Sequence, residues 1–178
     1  MLAKRLRQVA AANIKKLIVA IPRIFEYIPP EKHRWARWLQ PSRCVMWDTG
    51  RKYGSAFISR PDFYGQPFGR EYWGKMREIW DNRDVLLVRG DDKRPALFDN
   101  AGHISVMVCP NRNAWSEYPS ILEQCLKQAQ WYPEGLVLAQ LGPTATALAH
   151  DLCIRGVQCL DLGKADRFYR DEREQWQS

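Results

Sequence analysis

No run of apolar residues in this chain is long enough to cross a membrane. The one near the start, Leu17-Ile18-Val19-Ala20-Ile21, stops at Pro22 and is also too short for a signal-peptide core. Its five cysteines (Cys44, Cys109, Cys125, Cys153, Cys159) are odd in number, scattered, and never spaced as Cys-x-x-Cys. That excludes a zinc ribbon and a disulfide framework, and a reducing cytoplasm is the expected setting. There is no G-x-x-x-x-G-K-[ST], no G-x-G-x-x-G and no G-x-S-x-G, so the usual nucleotide-loop and hydrolase signatures are missing. Helix-turn-helix, RNA-recognition and zinc patterns are missing too, which argues against a nucleic-acid partner. Acidic residues are absent before Glu26.

What is present is a basic chain of 178 residues with a formal net charge of +7. That length suits a single domain over 1–178, burying roughly 70% of the surface its unfolded form exposes. The charge admits an anionic partner without choosing among nucleic acid, membrane and phosphorylated small molecules. Many of the cations crowd the first quarter, from Lys4, Arg5 and Arg7 to Arg37 and Arg43, with acids interspersed after Glu26, as on a solvated face.

Periodicity predicts an amphipathic helix over 2–12, a strand over 17–21, and an irregular aromatic stretch over 23–52 containing a helix at 31–39 with Trp35 and Trp38. A further strand is expected over 55–61. Beyond residue 70 the order is regular: helix 70–81, strand 85–89, strand 104–108, helix 115–130, strand 136–141, helix 144–155 closed by Gly156, strand 157–162, then a polar tail over 164–178. Near-continuous apolar strands alternating with helices predict an α/β fold, with a Rossmann-like, mostly parallel sheet and helices on both faces. The irregular part is placed at 1–52 and the α/β core at 53–163.

Ligands of open α/β sheets bind outside the carboxyl ends of the strands. There the sequence places Arg89-Gly90-Asp91-Asp92-Lys93-Arg94, Pro110-Asn111-Arg112-Asn113, the turn Leu141-Gly142-Pro143-Thr144, and Asp161 with Gly163 and Lys164. Gly142 permits a tight turn, Pro143 suits a helix start, and Thr144 is positioned to cap the helix that follows. A helix N-terminus so presented, with arginines beside it, suits a diphosphate; charged loop ends that are merely solvated are the alternative. Arg60, just before Pro61, is another arginine at a strand end. Asp91-Asp92 reads either as a pair of oxygen ligands for a hard cation or as a turn neutralised by Lys93 and Arg94. His33, His103 and His150 have no second ligand at metal spacing and read as structural.

Taken together, the segments LIVAIPRIF (17–25), YGSAFISRP (53–61), VRGDDKRPALFDN (88–100), CPNRNAW (109–115), LVLAQLGPTATALAHD (136–151) and Asp161-Leu162-Gly163 resemble the GT-D-fold glycosyltransferases of bacteria, in the family's order. GPTAT after a strand is the most specific of them. The resemblance implies a GT-D-type sheet and transfer of a hexose from a nucleotide diphosphate sugar to a glycan or glycoconjugate acceptor. It implies that Arg60, Arg89, Arg94, Gly142, Thr144, Ala145 and Thr146 bind the nucleotide sugar, and that Asp161 lies near the sugar as the candidate catalytic residue. It also implies a divalent metal, Mn²⁺ or Mg²⁺. The family's acidic Asp-Gly-Glu type motif falls upstream of the helix that corresponds to the first one here, and Lys164 stands where a histidine is usual. On that comparison the amino end is shortened, the metal ligands are unassigned, a sheet edge is open, and a protein partner is expected to complete the fold. A non-catalytic binding or assembly protein that retains the fold is the alternative.

Overall fold

The computed structural model describes residues 1–21, 52–131 and 133–176. Helix α1 (Leu2–Ala11) leads to a short parallel pair, β1 (Ala20–Ile21) with β2 (Gly54–Ser55). Then follow α2 (Gly69–Arg77), β3 (Asp84–Arg89), β4 (His103–Val108), α3 (Tyr118–Trp131), β5 (Leu136–Gln140), α4 (Pro143–Cys153), β6 (Cys159–Asp161) and α5 (Ala165–Trp176). The main sheet is parallel throughout, in the order β4-β3-β5-β6. The helix expected at 31–39 lies outside the described residues.

Alternation along β3 and β5 decides which helices cover which face, because successive strand residues point to opposite sides. Leu86, Val88, Val137 and Ala139 pack with Ile121 and Cys125 of α3 and Ala145, Leu148 and Leu152 of α4. Val85, Leu87, Leu136 and Leu138 pack on the other face with Trp73 and Met76 of α2, Trp80, Phe98, and Ala165 and Tyr169 of α5. Trp73 and Trp80 are fully buried. Each such side chain contributes on the order of 2–3 kcal/mol of hydrophobic stabilisation. Trp80 also donates its Nε1–H to the Leu97 carbonyl at 3.1 Å, so its polar atom is satisfied inside the core.

Two expectations need correction. The described part of the expected polar tail, up to Trp176, is a helix: Ala165, Tyr169, Glu172 and Trp176 recur at helical spacing, and that stripe docks α5 on the sheet. Glu172, buried, explains why an acid lies on the inner stripe. Its two oxygens accept from the Phe68 and Gly69 backbone N–H groups at 2.9 Å each and cap the amino end of α2. The α/β core therefore continues past residue 163. Nor does a strand run over 55–61. Only Gly54 and Ser55 pair with β1, since Ser55 Oγ accepts from Phe57 N at 3.2 Å and turns the chain. A short 3₁₀ turn at Pro61–Phe63 follows.

Among the described residues, β4 and β6 are the outer strands of the main sheet. An open cleft of about 640 Å³ lies along β4, lined by Arg94, His103, Ile104, Ser105, Val106, Gln128 and Trp131. No described helix is long and apolar enough to cross a membrane.

Candidate functional site

Because all strands of the main sheet run the same way, their carboxyl ends form one rim. Strand register sets Arg89 beside Gln140, and Ala139 beside Asp161. β5 ends in the Leu141-Gly142 turn, where Gly142 takes φ +56°, ψ −141°. That backbone conformation is open to glycine and strained for other residues. Gly142 is the N-cap of α4 and Pro143 its first residue, so Thr144 sits inside the helix, buried, and does not cap it as expected. Ala145, also buried, returns its N–H to Gly142 O at 2.9 Å.

The next hydroxyl reaches outward. Thr146 Oγ1 donates to Asp161 Oδ2 at 2.7 Å, while Gly163 N donates to Asp161 Oδ1 at 3.2 Å. The Asp161 residue is exposed as a whole, yet its carboxyl is crowded by its neighbours. That loss of hydration raises its carboxyl above the usual range, and the two hydrogen bonds offset it only in part. Gly163 is bent at φ +53°, which brings its N–H back to the carboxylate.

Arg60 reaches the same rim from the loop after β2. Ser59 Oγ donates to the Leu162 carbonyl at 3.3 Å, anchoring that loop beside the end of β6. The Arg60 guanidinium lies 5.3 Å from the Phe168 ring and donates to both oxygens of Asp62 at 2.8 and 2.7 Å. Arg89, at the end of β3, is buried between two acids. Its Nη2 donates to Asp166 Oδ2 at 3.3 Å, while its Nε lies 2.9 Å from Asp91 Oδ1, within ion-pair distance but without hydrogen-bond alignment. Gln140 Nε2 donates to the other oxygen of Asp166 at 2.8 Å. Arg94 stands apart from these residues, in the cleft along β4.

The structure thus gathers Arg60, Arg89, Gly142, Thr144, Ala145, Thr146 and Asp161 at the rim and sends Arg94 to the sheet edge. Sequence reading missed Asp166 and Gln140. Asp166 lay in the supposed tail, and Gln140 was hidden as the last residue of an apolar strand; its place in register with Arg89 was the available signal. Asp91 accepts the Lys93 backbone N–H at 3.1 Å besides its ion pair with Arg89, so the carboxylate is held at its own turn by Arg89 rather than by Arg94. Among the described residues no group of three His, Cys, Asp or Glu side chains could hold a metal ion. Asp91 and Asp166 are both drawn to one guanidinium, and the divalent metal that the resemblance implies has no assigned ligands among the described residues.

Far from the rim, Asp151 near the end of α4 gathers Arg5 of α1, Tyr118 Oη at 2.6 Å and His150 Nδ1 at 2.8 Å. Burial and then Arg5 lower the His150 pKa, as suits a structural, neutral histidine.

A family of glycosyltransferases, described as having the GT-D fold, matches residues 1–176. The chain is 38% identical over 123 residues to the glycosyltransferase GlyD of Streptococcus pneumoniae serotype 4 (strain ATCC BAA-334 / TIGR4), a match covering 66% of this chain and 15% of that protein. It is 32% identical over 181 aligned positions to a probable glycosyl transferase, Gly, of Streptococcus gordonii, covering 94% of this chain and 26% of that one. A solved structure of domain of unknown function 1792, described as a distinct glycosyltransferase fold, superposes with a TM-score of 0.81 at 34% identity, covering 97% of this chain and 66% of that one. A glycosyltransferase of the same domain type from Streptococcus sanguinis gives 0.78 at 29%, covering 97% and 69%. The chain therefore spans about a quarter or less of the curated relatives it matches.

Proposed function

The chain belongs to the GT-D-fold glycosyltransferase family, and from that premise we propose that it transfers a hexose from a nucleotide diphosphate sugar to a glycan or glycoconjugate acceptor. The observation that carries the reading is the meeting of the α4 amino end with Asp161 at the carboxyl rim of a parallel sheet, through the 2.7 Å bond from Thr146.

In this reading the diphosphate lies over Gly142–Thr146, where the helix dipole contributes about 0.3–1 kcal/mol besides direct hydrogen bonds. A methyl added at Gly142 would meet nothing within 4 Å, so the turn leaves room for close approach. Arg60 serves the diphosphate by exchanging one of its two bonds to Asp62 for a phosphate oxygen. Charge that develops on the leaving diphosphate is then met by groups already in place. Asp161, whose carboxyl holds a proton more readily than usual, is placed to take the acceptor hydroxyl's proton as the sugar–phosphate bond breaks. No described acid is assigned to the implied divalent cation, and no step is routed through one. Cys109, Cys125, Cys153 and Cys159 are all free thiols, which supports the expected cytoplasmic setting. Among the described residues β4 is an outer strand, which supports pairing with the expected protein partner.

The test is a transfer assay with labelled nucleotide hexoses and a saccharide acceptor panel, read by product mass. Transfer that falls at least about 10²-fold in Asp161→Asn while donor binding persists is the expected result. Donor binding without any transfer would favour the fold-retaining binding protein, and neither binding nor transfer would overturn both.

A further inference from the structure

Arg89 holds two acids at once, and this suits a task other than phosphate capture. Its residue is 9% exposed, and it lies between Asp91 and Asp166. One guanidinium between two carboxylates leaves the trio net negative at neutral pH. Such a group repels a diphosphate and attracts hydrogen-bond donors.

Exposure grades outward along the trio. The Arg89 side chain is 11% exposed, Asp166 19% and Asp91 43%, so Asp91 is the member that opens onto the rim. Its carboxylate is held from two sides, by Arg89 and by the Lys93 N–H at 3.1 Å. A carboxylate offers about four acceptor positions, so Asp91 Oδ2, which Arg89 Nη2 meets at 3.4 Å, keeps acceptor capacity. The backbone beneath it is fixed as well: a methyl on Gly90 would lie 3.0 Å from the Asn111 Cα, so the ends of β3 and β4 are in close contact there. On the inner side, Gln140 orients Asp166 and Asp166 orients Arg89.

Resting on the donor-site reading above, we propose that Asp91 accepts a hydrogen bond from a hydroxyl of the transferred sugar. Asp166 and Gln140 are positioning residues that hold Arg89, and through it Asp91. A hydroxyl bound this way distinguishes a sugar nucleotide from the bare nucleotide, whereas general damage to the fold weakens both alike.

The experiment is calorimetric titration of the chain with UDP-glucose, UDP-galactose and GDP-mannose, each set against bare UDP or GDP. For the best-bound sugar nucleotide, Asp91→Asn is expected to weaken affinity about tenfold while changing the bare nucleotide less than about twofold. Asp166→Asn should do the same, and the double variant should be no weaker than either single one, as for residues acting through one connection. Asp91 lies near the surface, so its arm of the test does not depend on folding around half-buried Asp166. Equal losses for sugar nucleotide and nucleotide, or multiplicative losses in the double variant, would overturn the proposal and leave the donor site standing. No saturable binding of any of these nucleotides by the unmodified chain would overturn both.

Discussion

Thr146 and Asp161, on different secondary-structure elements and 15 residues apart, are joined by a 2.7 Å hydrogen bond that ties the first turns of α4 to the end of β6. A neutral hydroxyl beside a crowded carboxylate places a proton-holding group next to a helix amino end. An anion and a proton acceptor can therefore be served within one turn of chain.

Asp161 should cost stability as well as serve chemistry. Its carboxyl is raised in the folded chain, so the fold binds that proton more tightly than the unfolded chain does. Stability is then lost as pH rises from the ordinary carboxyl value of about 4 up through the folded one. Asp161→Asn removes that slope and raises the urea midpoint at pH 7. Urea titrations of both proteins between pH 4 and 7 check this, and a lower midpoint for the variant at pH 7 would refute it.

Two glycine-to-alanine changes should have opposite signs. At Gly142, with φ +56°, alanine is strained whatever the space, and a loss of about 1–3 kcal/mol is expected. At Gly74, inside α2 with nothing within 4 Å of the added methyl, alanine should gain roughly 0.4–1 kcal/mol. Paired thermal melts decide it, and equal shifts in the same direction would contradict the backbone argument.

The buried Asp151 cluster fastens α1 to the fold. Asp151→Ala strands Arg5 and the Tyr118 hydroxyl, whose pKa burial has pushed up to about 12. The expected cost is about 3 kcal/mol, which lowers the melting temperature by roughly 6–12 °C. Hydrogen exchange should show α1 opening first, and unchanged protection over Leu2–Ala11 would refute the fastening role.

Glu172→Ala should cost about 1–2 kcal/mol through loss of the cap on α2, with exchange rising at the Phe68 and Gly69 amides. Glu172→Gln keeps one acceptor and should recover part of the loss. No change in either variant would mean that water replaces the carboxylate.

These cases also show what could be read from the chain. Strands Val85 to Arg89 and Leu136 to Gln140 were legible because parallel strands buried on both faces are apolar without interruption. The Gly142-Pro143 corner was legible because each residue type there has one main backbone use. Helix α5 was not: its inner stripe includes Glu172, whose partners are backbone N–H groups 103 and 104 residues away. The strand-end rule and the family resemblance put Arg94 with Arg89, yet the loop carries it back along β4, where Arg94 and His103 line one cleft. Only strand register could have paired Gln140 with Arg89 and drawn Asp166 into the site.

The most direct test of the donor site is an NMR titration of the isotope-labelled chain with nucleotide diphosphate hexoses, following backbone amides. Saturable shifts should cluster at Gly142, Thr144, Thr146, Asp161 and Gly163, around the bond between Thr146 and Asp161. Shifts confined to the β4 cleft, at Arg94, Ser105 and Trp131, or the absence of saturable shifts, would contradict a donor site at the strand ends.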